Sequence, residues 1–187
     1  QAAFAALPPT VQEYSYRGDS ACHEHELLTW LRNPTRPNGP GGPIGVAISA
    51  RMSPARAAAI QALPETAWHV SAAPGERPDD LRDWADGPFV PSDAREQRNT
   101  APLRDVAVRV RPRQGELFAD GSAVKHFAVL STQGDWGGAR LLPWHREKAG
   151  TIEHVHDVVK NALAGGVLPC GRFGANAAWL RLALLAH

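Results

Sequence analysis

Cysteine is scarce in these 187 residues. Cys22 and Cys170 stand alone, too few for a disulfide framework and in keeping with reduced thiols in a cytosol. Long apolar runs are missing too: the most apolar stretch, 175–186, contains Arg181 and is too short to cross a bilayer. Charge of one sign is not in excess. The net charge is +1, so the overall balance does not announce a nucleic-acid binder. Lysine occurs only at 125, 148 and 160, and arginine supplies the other basic residues. The Ala-rich start has no basic n-region of the kind a signal peptide carries. Both ends read as cut, since the chain opens on Gln1 and stops at His187 within a helical pattern.

What is present suits a globular fold with a substantial core: 43% apolar residues and a mean hydropathy of −0.30. Val11 to Tyr16 alternates and is rich in β-formers, which predicts a strand. It delivers Arg17-Gly18-Asp19-Ser20-Ala21, and a helix from about His23 to Arg32 follows. A Pro/Gly/Asn loop leads to a nearly all-apolar second strand, Ile44 to Ser49. Ser53-Pro54 has the N-cap and N1 residues of a second helix, to about Leu63. Strand, helix, strand, helix in this order argues a parallel α/β sheet with right-handed crossovers.

From Trp68 the character changes. Residues 74–100, rich in Pro, Asp and Arg, read as irregular surface. Two β-like runs follow, 103–111 and 125–131, the first with Val106, Val108 and Val110 alternating against Ala107, Arg109 and Arg111. This pattern predicts a half-buried strand with a basic, solvent-facing side, and residues 67–140 read as a β-rich insertion into the α/β core. The expected organisation is therefore 1–66 core, 67–140 insertion and 141–187 return to the core, ending in an apolar helix.

The return contains a helical pattern opened by Gly150-Thr151 and closed by Gly165-Gly166. Ile152, Val155, Val158, Val159, Ala162 and Leu163 share one face, and Glu153, Asp157 and Lys160 the opposite one. Spacing alone fits a solvated charge ladder. Asp19, at the carboxyl end of a strand in an open α/β sheet, stands where such sheets place ligand-binding groups. By itself it is equally a turn or N-cap aspartate.

Glu153 followed by Lys160, after an Arg/Lys-rich lead-in and before Gly171-Arg-Phe-Gly-Ala-Asn-Ala-Ala-Trp179, resembles the C-terminal signature of the DDE transposases of bacterial insertion sequences. Arg17-Gly-Asp-Ser-Ala21 with its Leu-rich helix resembles the segment carrying the second acid in that family. The resemblance spans roughly residue 10 to the end. It implies an α/β fold, an RNase H-like core with a β-rich insertion. It also implies Asp19 and Glu153 as catalytic, metal-binding acids, with Mg²⁺ as cofactor and Mn²⁺ as its substitute. The activity implied is DNA cleavage and strand transfer in cut-and-paste transposition, on transposon ends and target DNA, by a cytoplasmic homodimer that associates with the nucleoid and not with membrane. Lys160 is implied as a DNA contact near the cleaved phosphate. The family's Tyr and Arg positions, seven and four before the Glu, hold Arg146 and Ala149 here, so those contacts do not carry over. A basic surface over the insertion and the Glu helix would include Arg109, Arg111, Arg146, Lys148 and Lys160.

Such chemistry needs carboxylates because in-line displacement at phosphorus uses two Mg²⁺ ions about 3.5–4 Å apart, and hard cations take oxygen ligands. The family uses three acids. None of the eighteen residues before Asp19 is Asp, so the chain reads as the C-terminal part of a transposase, incomplete and inactive alone. A second reading is a remnant that binds DNA or a partner transposase without chemistry. A minor one is a GDS-type esterase with Ser20 as nucleophile, but no Asp has His three residues later to complete it. The histidines and cysteines lack zinc-ligand spacing.

Overall fold

The structure is a computed structural model that describes residues 2–8, 10–70, 80–91, 103–112, 117–148, 157–162 and 170–186. It divides into two compact units, 1–145 and 146–187.

The first unit is built on one six-stranded sheet. In chain order its elements are α1 (Ala2–Ala5), β1 (Tyr14–Gly18), α2 (His25–Arg32), β2 (Ile44–Ser49), α3 (Pro54–Gln61), β3 (His69–Val70), β4 (Asp80–Gly87), β5 (Arg104–Pro112), β6 (Lys125–Ser131) and α4 (Gly138–Arg146). The strand order is β1-β2-β6-β5-β4-β3. As expected, β1 and β2 run parallel, in register from Tyr14↔Ile44 to Gly18↔Ile48. Every other pair is antiparallel, so the fold is mixed α/β with a mostly antiparallel sheet.

Local chemistry explains the helices that the sequence announces. Ser53 caps α3 by accepting from Arg56 N at 3.1 Å, with Pro54 in the first turn. Glu24 caps α2, accepting from Glu26 N at 3.0 Å and Leu27 N at 2.9 Å, and these bonds hold its carboxyl below the usual range. The strand alternation sorts the core onto two faces. Leu28, Leu31, Ile44, Val46, Ile48 and Ile60 pack with α2 and α3 on one, while Ala47, Val106, Val108, Val129, Leu141 and Leu142 pack with α4 on the other.

Two expectations are corrected. The strands expected to form an insertion across 67–140 are antiparallel, but β6 pairs directly with β2 (Ala47↔Ser131 to Ser49↔Val129), and the sheet continues without a break through β5, β4 and β3. Ser131 helps to fasten this seam, donating from Oγ to the Val46 carbonyl at 2.8 Å. Second, 80–87, expected to be irregular, is a full strand paired with β5 from Asp80↔Pro112 to Gly87↔Asp105. A helix that the sequence reading did not place, α4, forms at 138–146 with Pro143 inside it. Its first residue lies so close to β4 that a Cβ on Gly138 would collide with the Trp84 indole.

The second unit contains a short π-helical turn, Val158–Ala162, and the apolar helix α5, Phe173–Ala186, where the sequence predicts one. No helix among the described residues is long and apolar enough to cross a membrane.

Candidate functional site

β1 ends at Gly18, and Asp19 follows in extended conformation (φ −84°, ψ −172°) as the cap of a 3₁₀ turn, Ser20–Cys22. Its Oδ1 accepts from Ala21 N at 3.0 Å and from Cys22 N at 3.3 Å. Gly18 makes the turn sterically feasible, since a Cβ there would lie 2.8 Å from Cys22 Cβ. Asp19 is exposed at the carboxyl end of the sheet's parallel pair, the position the sequence reading gave it. It is also an N-cap aspartate, and that structural role accounts for its Oδ1. Tyr16 stands on the same strand. Burial, then the neighbouring Cys22 thiol, then Asp19 push its phenol up to about 12.

The end of β2 lies beside this turn, one register step beyond Gly18↔Ile48. Ser49 Oγ is 3.0 Å from Nε2 of the buried His145 on α4. Arg17 Nη1 donates to the Trp144 carbonyl at 2.5 Å, and its guanidinium lies over the Trp144 ring at 5.1 Å. Two side chains buried in the core reach the next residues. Arg51 N donates to His23 Nδ1 at 2.9 Å, and Arg56 Nη1 donates to the Arg51 carbonyl at 2.8 Å. Arg51 Nε in turn donates to the Ser20 carbonyl at 3.3 Å, linking the ends of β1 and β2.

Glu153 lies outside the described residues, as do 149–156 as a whole. In the second unit Lys160 is exposed, and Asp157, also exposed, accepts from Asn161 Nδ2 at 2.6 Å. Arg146 is exposed and Lys148 half-buried. Arg111 keeps 42% of its side chain exposed and meets Asp83 at 2.6 Å. Arg109 departs from the expectation of a solvent-facing cation. Its side chain is 12% exposed, with Nη1 on Glu65 Oε1 at 2.6 Å, Nη2 on Asp83 Oδ2 at 2.9 Å and the guanidinium over the Trp68 ring at 4.5 Å. The face expected to meet solvent is itself covered: Ala107 on it is fully buried, and Trp68 and Glu65 come from a segment that folds over Arg109.

Toward Mg²⁺, Asp19 offers a hard oxygen ligand, and both of its backbone hydrogen bonds use the same oxygen. Among the described residues no three His, Cys, Asp or Glu side chains gather as a metal site. A cleft of about 510 Å³ opens at the opposite, amino end of β1 and β2, lined by Gln12, Glu13, Ser15 and Gln133 among others. With Glu13 its one acid, it offers no acidic pair.

Sequence reasoning missed two contacts at this end of the sheet, Ser49 with His145 and His23 with the Arg51 backbone. The signal is non-local: His23 and Arg51 are brought together by the parallel pairing of β1 and β2, and His145 reaches Ser49 from α4. No family model matches this chain, and neither does any curated protein or solved structure.

Proposed function

We propose that the chain is the C-terminal part of a DDE-type transposase, using Asp19 and Glu153 in metal-dependent DNA cleavage and strand transfer. The observation that supports this most is the position of Asp19, exposed at the carboxyl end of β1 in a parallel β1–β2 pair, together with the Glu153–Lys160 signature. Asp19 and Glu153 would hold Mg²⁺. The bound ion would activate the attacking oxygen and offset charge on the leaving one. Lys160 would contact phosphate near the cut. With two of three acids, the 187 residues would bind Mg²⁺ weakly, because Mg²⁺ gives up its water reluctantly and two carboxylates leave it largely hydrated.

The test is nicking of supercoiled plasmid with Mg²⁺ or Mn²⁺. Residues 1–187 alone should be inactive. A longer protein that adds an upstream strand bearing the first Asp should nick, and Asp19→Asn or Glu153→Gln should abolish that activity. Nicking by 1–187 alone that is lost with Glu153→Gln would mean that the first acid lies within these residues. Nicking by the longer protein that survives both changes would defeat the assignment. A second reading, a DNA-binding remnant without chemistry, draws on the structural use of Asp19 as a cap.

A further inference from the structure

The backbone of Arg51 is held from both sides by buried side chains. His23, 3% exposed, accepts its N–H, and Arg56, 0% exposed, donates to its carbonyl. Arg56 is itself anchored by Asp105, with Nε at 3.1 Å from Oδ2, and by the Val90 carbonyl. Burying an imidazole and a guanidinium is costly unless they are satisfied, and here both direct hydrogen bonds to one exposed residue. The Arg51 side chain then crosses to the Ser20 carbonyl through Nε, which leaves its Nη1 and Nη2 edge outside that bond. No ion pair joins Arg51 to Asp19 or to any other described carboxylate, although both residues are exposed at adjoining strand ends. The Glu24 carboxylate feels the Arg51 charge but is occupied capping α2.

The wing arginines differ. Arg104, Arg109 and Arg111 each rest on a carboxylate, Asp86, Glu65 or Asp83, which neutralises their charge toward an incoming polyanion. An exposed guanidinium on an anchored backbone, with no carboxylate in ion-pair contact among the described residues, suits bidentate binding of a phosphate's non-bridging oxygens.

We infer that Arg51 is a phosphate-binding residue of this protein, holding the DNA backbone beside Asp19. The inference rests on the DNA reading above and assigns its phosphate contact to the end of β2 instead of the outer face of β5. A carboxylate and a guanidinium that ignore one another can each serve a different partner: Asp19 a cation, Arg51 a phosphate oxygen.

The experiment is fluorescence anisotropy of the 187-residue chain with a fluorescein-labelled duplex oligonucleotide in EDTA, titrated across salt concentrations. Leaving out divalent metal separates binding from cleavage. Arg51→Ala should weaken binding roughly tenfold at low salt and reduce the magnitude of the log K against log salt slope by about one. Arg51→Lys should keep the slope and recover part of the affinity, since lysine retains the charge and loses the fork. Thermal unfolding should stay near that of the unaltered chain for both, which separates a contact from a structural role. Arg111→Ala should leave the slope unchanged. If the unaltered chain binds DNA and Arg51→Ala binds with the same affinity and slope, the inference falls and the DNA reading stands. If Arg111→Ala lowers the slope and Arg51→Ala does not, the contact belongs to β5. If the unaltered chain binds no DNA, both readings fall.

Discussion

The antiparallel wing of the sheet, β3 to β6, and its parallel corner, β1 with the end of β2, use charge differently. In the wing, acids and arginines meet. Asp83 is 4% exposed and receives Arg109 through Nε and Nη2 and Arg111 through Nη2. Arg104 meets Asp86 at 2.6 Å, and Lys125 meets Asp120 at 3.0 Å. In the corner, Asp19 and Arg51 are neighbours without an ion pair, and the buried groups around them hold backbone. Paired charges in the wing stabilise the packing of one strand on the next, and the pair at Arg109 also pins the Trp68 segment over the sheet. Charges left apart in the corner contribute little to folding and remain available to a ligand. Basic composition alone therefore points to the wrong surface: the strand with most arginines is the one where carboxylates have already taken them.

Arg56 joins the two regions and gives the largest expected effect. It is fully buried, bonded to Asp105 on β5 and to the Arg51 carbonyl in the corner. Burial pushes the Asp105 carboxyl up, more than Arg56 pulls it down. Arg56→Leu should therefore leave an acid that is already poorly solvated without its cation, at a cost of about 3–5 kcal/mol in urea unfolding. The double variant Arg56→Leu/Asp105→Leu should recover much of that stability, because replacing a whole buried pair is often neutral. Its DNA affinity should stay low, since the Arg51 carbonyl has still lost its donor. A double variant as unstable as the single one would show that Arg56 acts mainly through the Arg51 carbonyl and not through Asp105.

A smaller effect is expected in the wing itself. Asp83→Asn keeps the shape but removes the charge that two arginines share, and should cost about 1–3 kcal/mol. Salt should narrow the gap between this variant and the unaltered chain only slightly, because Asp83 and Arg109 are screened poorly where they are buried. A gap that vanishes in high salt would make the wing network an ordinary surface feature and erase much of its contrast with the corner.

Much of the corner was legible from sequence because its determinants are local. Alternation marks β1, an apolar run marks β2, and Ser53-Pro54 marks α3, so the parallel pair and the place of Asp19 followed. The wing was half legible. β5 and β6 show in Val106, Val108 and Val110 and in Phe127 to Leu130. β4 does not, because Asp80, Arg82, Asp83 and Asp86 put charge on both sides of the alternation. Asp83 can sit in a strand interior because Arg109 and Arg111 lie on the strand opposite, a pairing that no window of neighbouring residues contains. The seam between β2 and β6 is equally non-local, and this is why a continuous sheet read as a core with an insertion. Arg51 gave no signal at all, since its distinction lies in His23 and Arg56, each supplied by a different segment.

The smallest expected effect on stability belongs to Asp19, and it tests the corner directly. Asp19→Asn retains a side-chain oxygen for the Ala21 and Cys22 amides, and Asn caps about as well as Asp, so stability at neutral pH should change by no more than about 0.5 kcal/mol. The negative charge is nonetheless lost, and Tyr16 reports it. The Tyr16 phenol titrates at about 12 instead of 10.0, so between those values the folded state keeps a proton that the unfolded chain releases. The stability this contributes is present below pH 10 and lost as pH rises through about 12. Removing the Asp19 charge takes away the smallest of the causes that raise this value, so the phenolate absorbance step assigned by comparison with Tyr16→Phe should move slightly down in Asp19→Asn while the melting temperature near neutrality stays put. A large loss of stability in Asp19→Asn, with Tyr16 unmoved, would mean that the carboxylate serves the fold of the corner as Asp83 serves the wing, and the contrast between them would fail.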